Sequence, residues 1–429
     1  MPQLSPSPVP AATSAVQTRL HGFDALRAVA ACLVIMLHAG TPYAFHPMPG
    51  LVWPTHDIAP SPIVDALFWW IESIIMPLFF VISGFFAAQL LARLGQAEFV
   101  RHRTKRLLLP MLAGVVFLLP LEIYIWALGW VVDGKFPFKN MLTLKFNPQI
   151  DANLWGTSHL WFLQYLFLYC LALAALRGTR LGQWIAAKTH GRWAARLMQS
   201  AWKPLLLAVP VATVVWLAPR VILGFQHSFL PVPSKFLYNA IFFGVGVWMH
   251  QHRDSFARVI ERYPIYLALS PLVFAAALPL FHQHLDQELA GLPRAAMASL
   301  IGVIIWVTIF GLIGVFYQHV RSANPPAVQY LAEASFWIYL VHHPMVGLVH
   351  VTLAPVAIPA LAKFCIVTST ALAFTLLTYN AFVRYTWLGL FLNGTRRRRA
   401  HAELRVFQPA VAGANDTDAQ RPTERREAA

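Results

Sequence analysis

Ten apolar runs, separated by polar segments, occupy most of the chain. They cover approximately 23–42, 62–91, 107–130, 159–176, 204–219, 235–250, 264–281, 295–317, 328–350 and 360–383. Each is close to the roughly 20 residues that a helix needs to cross a bilayer core. The pattern predicts an all-α fold, a polytopic membrane helix bundle of about ten transmembrane helices. Prolines inside the runs, such as Pro77 and Pro120, predict kinks rather than ends, because neighbouring helices or water can satisfy the carbonyls they free. Residues 1–18 are rich in Pro, Ala and Ser and are expected to be disordered. Residues 391–429 form a basic, polar tail, which leaves 19–390 as one membrane domain. No cationic stretch with a cleavage site precedes the first apolar run, so that run is expected to stay as a helix.

Composition agrees with the pattern. The 429 residues are 58% hydrophobic and only 12% charged, against about 25% charged in soluble domains. The net charge of +15 would suit nucleic acid, but its distribution excludes that partner. Lys and Arg gather between apolar runs, at Arg93, Arg101, Arg103, Lys105 and Arg106, then at six positions in 177–203, and again at Arg396 to Arg399. The segment 43–61 has none. By the positive-inside rule both termini are predicted cytoplasmic, and the first helix runs outward. Cys32, Cys170 and Cys365 lie within apolar runs and read as small core residues, with no disulfide expected.

Candidate chemistry starts on the first helix. Asp24, Arg27 and His38 interrupt its apolar run, and ionisable groups inside a membrane helix mark function by default. At about 100° per residue Arg27 and His38 fall within roughly 20° of one face, some 16 Å apart along the axis. Asp24 shares that face and can hold Arg27. His38 is the natural proton carrier. The plain alternative is a snorkelling Arg and a histidine satisfied by a neighbouring helix. Arg103 and Arg106, three apart, suit phosphate oxygens, or else act only as a topological anchor. Ser83 and Gly84 permit close helix approach, and Ser83 is also a candidate ligand contact. Asp65 and Glu72 share a face and need partners, His38 being one candidate. Glu333 and His342 place an acid low and an imidazole high on a second helix. His159, Trp53, Trp155 and Trp161 fall near outer ends, where they form either a sugar-binding mouth or an interfacial aromatic belt.

Together these stretches resemble the acyltransferase 3 superfamily of integral membrane acyltransferases, over roughly 20–385. The family's Arg, ten residues, His pattern matches Arg27 to His38. Its Arg-x-x-Arg motif matches Arg103 to Arg106. Its Phe-Phe-Val-Ile-Ser-Gly stretch matches Phe79 to Gly84. Its Ser-aromatic-x-x-Tyr-Leu-x-His-x-Pro pattern resembles Ser335 to Pro344. Where many O-acetyltransferases of the family carry Asp, this chain has Pro77. That feature, with Ser158-His-Leu-Trp-Phe-Leu163, is more similar to the glucan-biosynthesis protein C branch, whose members are implicated in succinylating periplasmic glucans.

The resemblance implies a multi-pass enzyme of the bacterial inner membrane. It implies acyl-CoA as co-substrate, a hydroxyl of an extracytoplasmic glycan as acceptor, and glycan-biosynthesis proteins as further partners. No metal is expected. Coenzyme phosphates would stay at the cytoplasmic face on Arg103 and Arg106, assisted by Arg27, since unpaired charge cannot enter hydrocarbon cheaply. The arm would carry the thioester towards His38. His38 would then act as general base or take the acyl group itself. Glu333 is a candidate for positioning the arm, and His342 for contacting the acceptor. A proton-coupled transporter or flippase is the alternative class.

Overall fold

The computed structural model describes residues 12–225, 227–320 and 325–393. Regular structure among them is entirely helical. Helix α1 (Ala12–Gly40) begins inside the stretch expected to be disordered; residues 1–11 of that stretch, and 394–429 of the expected tail, lie outside the described residues. Then come α2 (Pro62–Leu94), α3 (Gln96–Arg103) and α4 (Leu109–Val132), the short α5 (Phe138–Thr143) and α6 (Pro148–Leu154), and α7 (Trp161–Leu176). Next are α8 (Arg180–His190), α9 (Arg192–Gln199), α10 (Lys203–Leu217), α11 (Pro233–Gln251) and α12 (Phe256–Ile260). The chain closes with α13 (Tyr263–Asp286), α14 (Gly291–His319), α15 (Pro326–Leu353), α16 (Ala360–Thr378) and α17 (Trp387–Asn393).

Every one of the ten apolar runs is a helix. Eight stretches of the described chain are long and apolar enough to cross a membrane, counting α3 and α4 as one and α16 with the turn that follows it as one. The two runs outside this set are α10 and α11. At 15 residues, α10 is about 22 Å long, short for a hydrocarbon core of about 30 Å. It is bent by 101° from α9. Trp193 and Trp202 flank that bend and are 81% and 67% exposed, as expected for rings at a membrane interface.

The bundle is held by close helix contacts at small residues. α2 packs along α11, α14 along both α10 and α13, and α15 against α1, α4 and α16. A Cβ on Gly84 would collide with the Phe243 carbonyl, and one on Gly246 with the Val81 carbonyl. So α2 and α11 touch backbone to backbone, and the small-residue reading of the Ser83–Gly84 pair holds for Gly84. On α1, the small Ala30, Ala31 and Ala39 are buried, as is Ile35.

Pro110 shapes the cationic end. It cannot donate to the Arg106 carbonyl, and its ring crowds that carbonyl. The chain answers with a π turn over Thr104–Leu108, so α3 and α4 form one long helix with a widened turn between them.

Replacing Gly84 or Gly246 by Val should overpack the α2–α11 contact. The expected loss is about 1–3 kcal/mol or more, seen as a lower melting temperature and less monodisperse protein in detergent. Unchanged melting would mean that the two helices can separate at no cost.

Candidate active site

The polar face of α1 is turned inward, against α15. Two rungs connect the helices. At the lower rung Arg27 Nη2 donates to Ser335 Oγ at 3.3 Å, and Ser335 Oγ donates to the Ala332 carbonyl at 2.8 Å. Arg27 also meets Asp24 at 3.4 Å, with both side chains about two-fifths exposed (38% and 42%). At the upper rung the His38 ring lies 5.1 Å from His342 and 4.6 Å from His343, centroid to centroid. Arg27 precedes His38 as Ser335 precedes His342, so α1 and α15 run parallel. An odd number of spans must therefore lie between them; α2, α3 with α4, α7, α13 and α14 make five, so α10 and α11 cross together or not at all.

Around the upper rung the structure gathers five imidazoles and a carboxylate. His343 and His159 stack at 4.8 Å, and His159 lies 5.5 Å from His342. The α4 carboxylate Glu122 reaches both: its Oε2 is 3.0 Å from His343 Nδ1 and 3.3 Å from His159 Nδ1. Its Oε1 accepts a hydrogen bond from Ser158 Oγ. Glu122, His159, His342, His343 and His350 are all buried. His38 keeps part of its ring open to a cavity of about 70 Å³ that Glu72, Trp161 and Lys235 also line. A second cavity, of about 170 Å³, meets the cluster at Glu122, Ser158 and His343.

Hydrogen bonds set the imidazole tautomers. His342 Nδ1 donates to the Ile338 and Tyr339 carbonyls at 3.0 and 2.9 Å. Its Nε2 is left as a bare acceptor, buried and without a partner. Trp53 Nε1 donates to His350 Nδ1 at 3.1 Å, and His350 Nε2 donates to the Ala39 carbonyl at 3.1 Å. This chain of bonds ties the segment after α1 to α15 and fixes the backbone next to His38.

Local sequence explains how the parts arrive. Trp53 stacks parallel to His38 at 6.0 Å. Its loop is drawn into the bundle by two α4 tryptophans: Trp126 Nε1 donates to the Val52 carbonyl at 2.8 Å and Trp130 Nε1 to the Trp53 carbonyl at 3.0 Å. Ser158 has a left-handed backbone, φ +44°, which is costly for a residue with a Cβ and persists only where the surroundings enforce it. Its N–H donates to His227 Nδ1 at 3.2 Å. The sharp turn aims Ser158 and His159 at Glu122.

The sequence candidates divide into two groups. His38, His342 and His159 come together, with Trp161 lining the His38 cavity. Trp53 and His159, expected at an outer mouth or belt, are instead buried in the cluster, because tryptophan and backbone bonds pull their segments inward; Trp155 alone of the three named tryptophans is exposed, at 59%. Asp65 is answered by His282, at 2.8 Å, and by His46, not by His38. The second group lies toward the other end of the bundle. Arg106 Nη1 donates to the Phe391 carbonyl of α17 at 3.0 Å, while Arg103 packs over Phe99 at 5.4 Å with its Nε buried and without a partner. Arg106 precedes Glu122 by sixteen positions, or about 24 Å of helix. Ser83 and Glu333 are half-buried, Glu333 two positions before the Arg27-bonded Ser335.

Glu122, His343 and His350 were not among the sequence candidates. Glu122 is the only acid in its apolar run, and the rule that flagged Arg27 applies to it equally. His343 adjoins His342. Nothing in the sequence marks His350.

An inward-facing polar seam, with an arginine low and clustered imidazoles high, defines a membrane protein built for group or proton transfer. The profile of the Acyltransferase domain family matches residues 20–380. The chain thus belongs to the acyltransferase 3 family and is a membrane O-acyltransferase. It is similar to proteins named Glucans biosynthesis protein C. Those from Escherichia coli O1:K1 / APEC and from Shigella dysenteriae serotype 1 (strain Sd197) are each 25% identical over 347 residues, covering 79% of this chain and 83% of the relative. No solved structure matches the chain.

The Trp53–His350 bond gives a test of the cluster's scaffold. Trp53→Phe leaves His350 Nδ1 buried and unpartnered, at a cost of about 1–3 kcal/mol. Thermal unfolding in detergent should show this, and a Trp53→Phe/His350→Phe double variant should lose less than the two single losses combined. Strict additivity would show that the bond carries no coupling.

Proposed function

We propose that this protein transfers an acyl group from cytoplasmic acyl-CoA to a hydroxyl of a glycan on the outer side of the bacterial inner membrane, with both termini in the cytoplasm. The observation that carries this reading is the parallel α1–α15 seam, a cationic rung below and an imidazole rung above. Coenzyme phosphates bind at Arg103 and Arg106, with Arg27 and Glu333 guiding the arm and Ser83 beside its path. The buried, partnerless Nε of Arg103 supports a ligand there over a plain topological anchor. The glycan hydroxyl reaches His38 from the outer side, contacting His342, His159 and Trp161. The relatives' name, Glucans biosynthesis protein C, supports a glycan acceptor, and glycan-biosynthesis proteins are the partners such a product requires.

His38 takes the hydroxyl proton as the oxygen attacks the thioester carbonyl. The new C–O bond forms, the C–S bond breaks, and the coenzyme leaves as thiolate and is reprotonated. In the covalent variant the acyl group rests on His38 first. The bare Nε2 of His342, on the ring beside His38, is the next acceptor for the proton.

The donor must pass an aromatic column. Along α7, Phe162 and Tyr169 contact Phe80 at 4.9 and 5.4 Å, between His159 and Cys170, and α7 packs against α3, which carries Arg103. These rings have to shift for the arm to reach His38.

His38→Ala should lower acyl transfer in membranes by about 10²–10⁴-fold at matched expression; near-normal product would remove His38 from the chemistry. Arg103→Gln with Arg106→Gln should raise the KM for acyl-CoA and leave the acceptor KM unchanged. Unaltered donor dependence would return the pair to a topological role.

A further inference from the structure

Glu122, His159 and His343 hold an arrangement that their own hydrogen bonds do not explain. Glu122 Oε2 and the two Nδ1 atoms are buried, and none makes a directed hydrogen bond. Even so, they lie 3.0 and 3.3 Å from one another across the two carboxylate–imidazole pairs, and all three fall within 4.8 Å. His159 Nε2 is 3.1 Å from the Leu340 carbonyl, an acceptor, so the ring's proton sits on Nε2. His159 Nδ1 is then a bare lone pair facing a carboxylate oxygen. Two acceptors this close, out of water, repel unless a positive charge lies between them.

We infer that Glu122, His159 and His343 form a binding site for a divalent transition-metal ion of the zinc type. Zinc takes imidazole nitrogen at about 2.0–2.1 Å and carboxylate oxygen at about 2.0–2.2 Å, which sets neighbouring ligand atoms of a tetrahedron about 3.3 Å apart. The observed pairs match that edge. The surroundings match as well. A metal-bound imidazole donates its other N–H to a carbonyl or carboxylate, and a ligating carboxylate is itself hydrogen-bonded. Leu340 supplies the first of these partners and Ser158 the second.

Three protein ligands leave a fourth position. The cavity of about 170 Å³ lined by Glu122, Ser158 and His343 lies beside it, so water or a hydroxyl-bearing acceptor is the ligand class that completes the shell. His343 also stands 4.6 Å from His38, ring to ring, which places the ion next to the proposed base. A bound cation would offset the Glu122 charge inside the bundle and clamp α4, the turn before α7 and α15 together. The inference stands on ligand geometry and does not depend on the identity of the acyl donor.

A second group, His46, Asp65 and His282, provides an internal control. It is more open, with the two imidazoles 23% and 26% exposed.

The test uses the full chain purified in detergent, incubated with Zn²⁺, dialysed, and analysed for metal by mass spectrometry. The expected result is about one zinc per chain in the wild type, in His38→Ala and in His46→Ala, falling at least fivefold in Glu122→Gln and His343→Ala. For readouts free of variants, the wild-type melting temperature should fall on chelation and recover with Zn²⁺. Replacement by Co²⁺ should give the visible absorption of a tetrahedral site. Metal-free wild type with melting unaffected by Zn²⁺ would overturn the inference. So would zinc retained in both Glu122→Gln and His343→Ala, or zinc lost only in His46→Ala.

Discussion

The bundle is organised around the need to find partners for ionisable groups that are surrounded first by apolar side chains and then by lipid. A carboxylate or imidazolium in such a place costs several kcal/mol unless paired. No single helix can provide that pairing here. Glu122 comes from α4, His159 from the turn before α7, and His38 and His343 from α1 and α15. Each group is tolerated because the others are present. Membrane helices gain little from burying apolar surface against one another, so this polar knot and the tight α2–α11 contact define the packing where apolar side chains alone would leave it undefined.

Most of the remaining architecture supports the knot. Trp126 and Trp130 hold the backbone of a loop that would otherwise lie at the membrane surface, and that loop delivers Trp53 onto His38 and His350. The left-handed Ser158 turns the chain so that its hydroxyl and the next imidazole meet the same carboxylate. Backbone strain at such a point is sustained by the bonds on either side of it. Here those are the bond from the Ser158 N–H to His227 and that from its hydroxyl to Glu122.

The two ends of the proposed reaction path differ in character. Arg103 and Arg106 sit at a π-widened turn, half-buried, in a helix that Pro110 prevents from closing regularly. The imidazoles sit in a rigid, hydrogen-bonded centre. Between them lie aromatic rings: Phe80 and Phe162 have no hydrogen bond to break on changing rotamer, whereas Tyr169 would give up its 2.6 Å bond to the Phe236 carbonyl. A fixed catalytic centre served by a deformable channel suits a long donor whose charged end stays outside.

How much could be read in advance follows from the range of the forces involved. Apolar run length and the distribution of Lys and Arg are local properties, so the ten helices and the membrane class were legible, as was the single polar strip of Arg27 and His38, which helical periodicity places on one face. The partners of that strip were not. Whether α1 turns His38 to lipid or to α15 depends on contacts between residues some three hundred positions apart, and the inward folding of Trp53 depends on two indole donors on another helix. The cluster of Glu122, His159 and His343 has no sequence spacing at all, because α4, the turn before α7 and α15 bring it together. The amino-acid order by itself determined which segments form apolar helices and that Arg27 and His38 share one helix face. Only the tertiary structure decided which of those residues meet, because convergence of distant helices is a property of packing and leaves no local period to read.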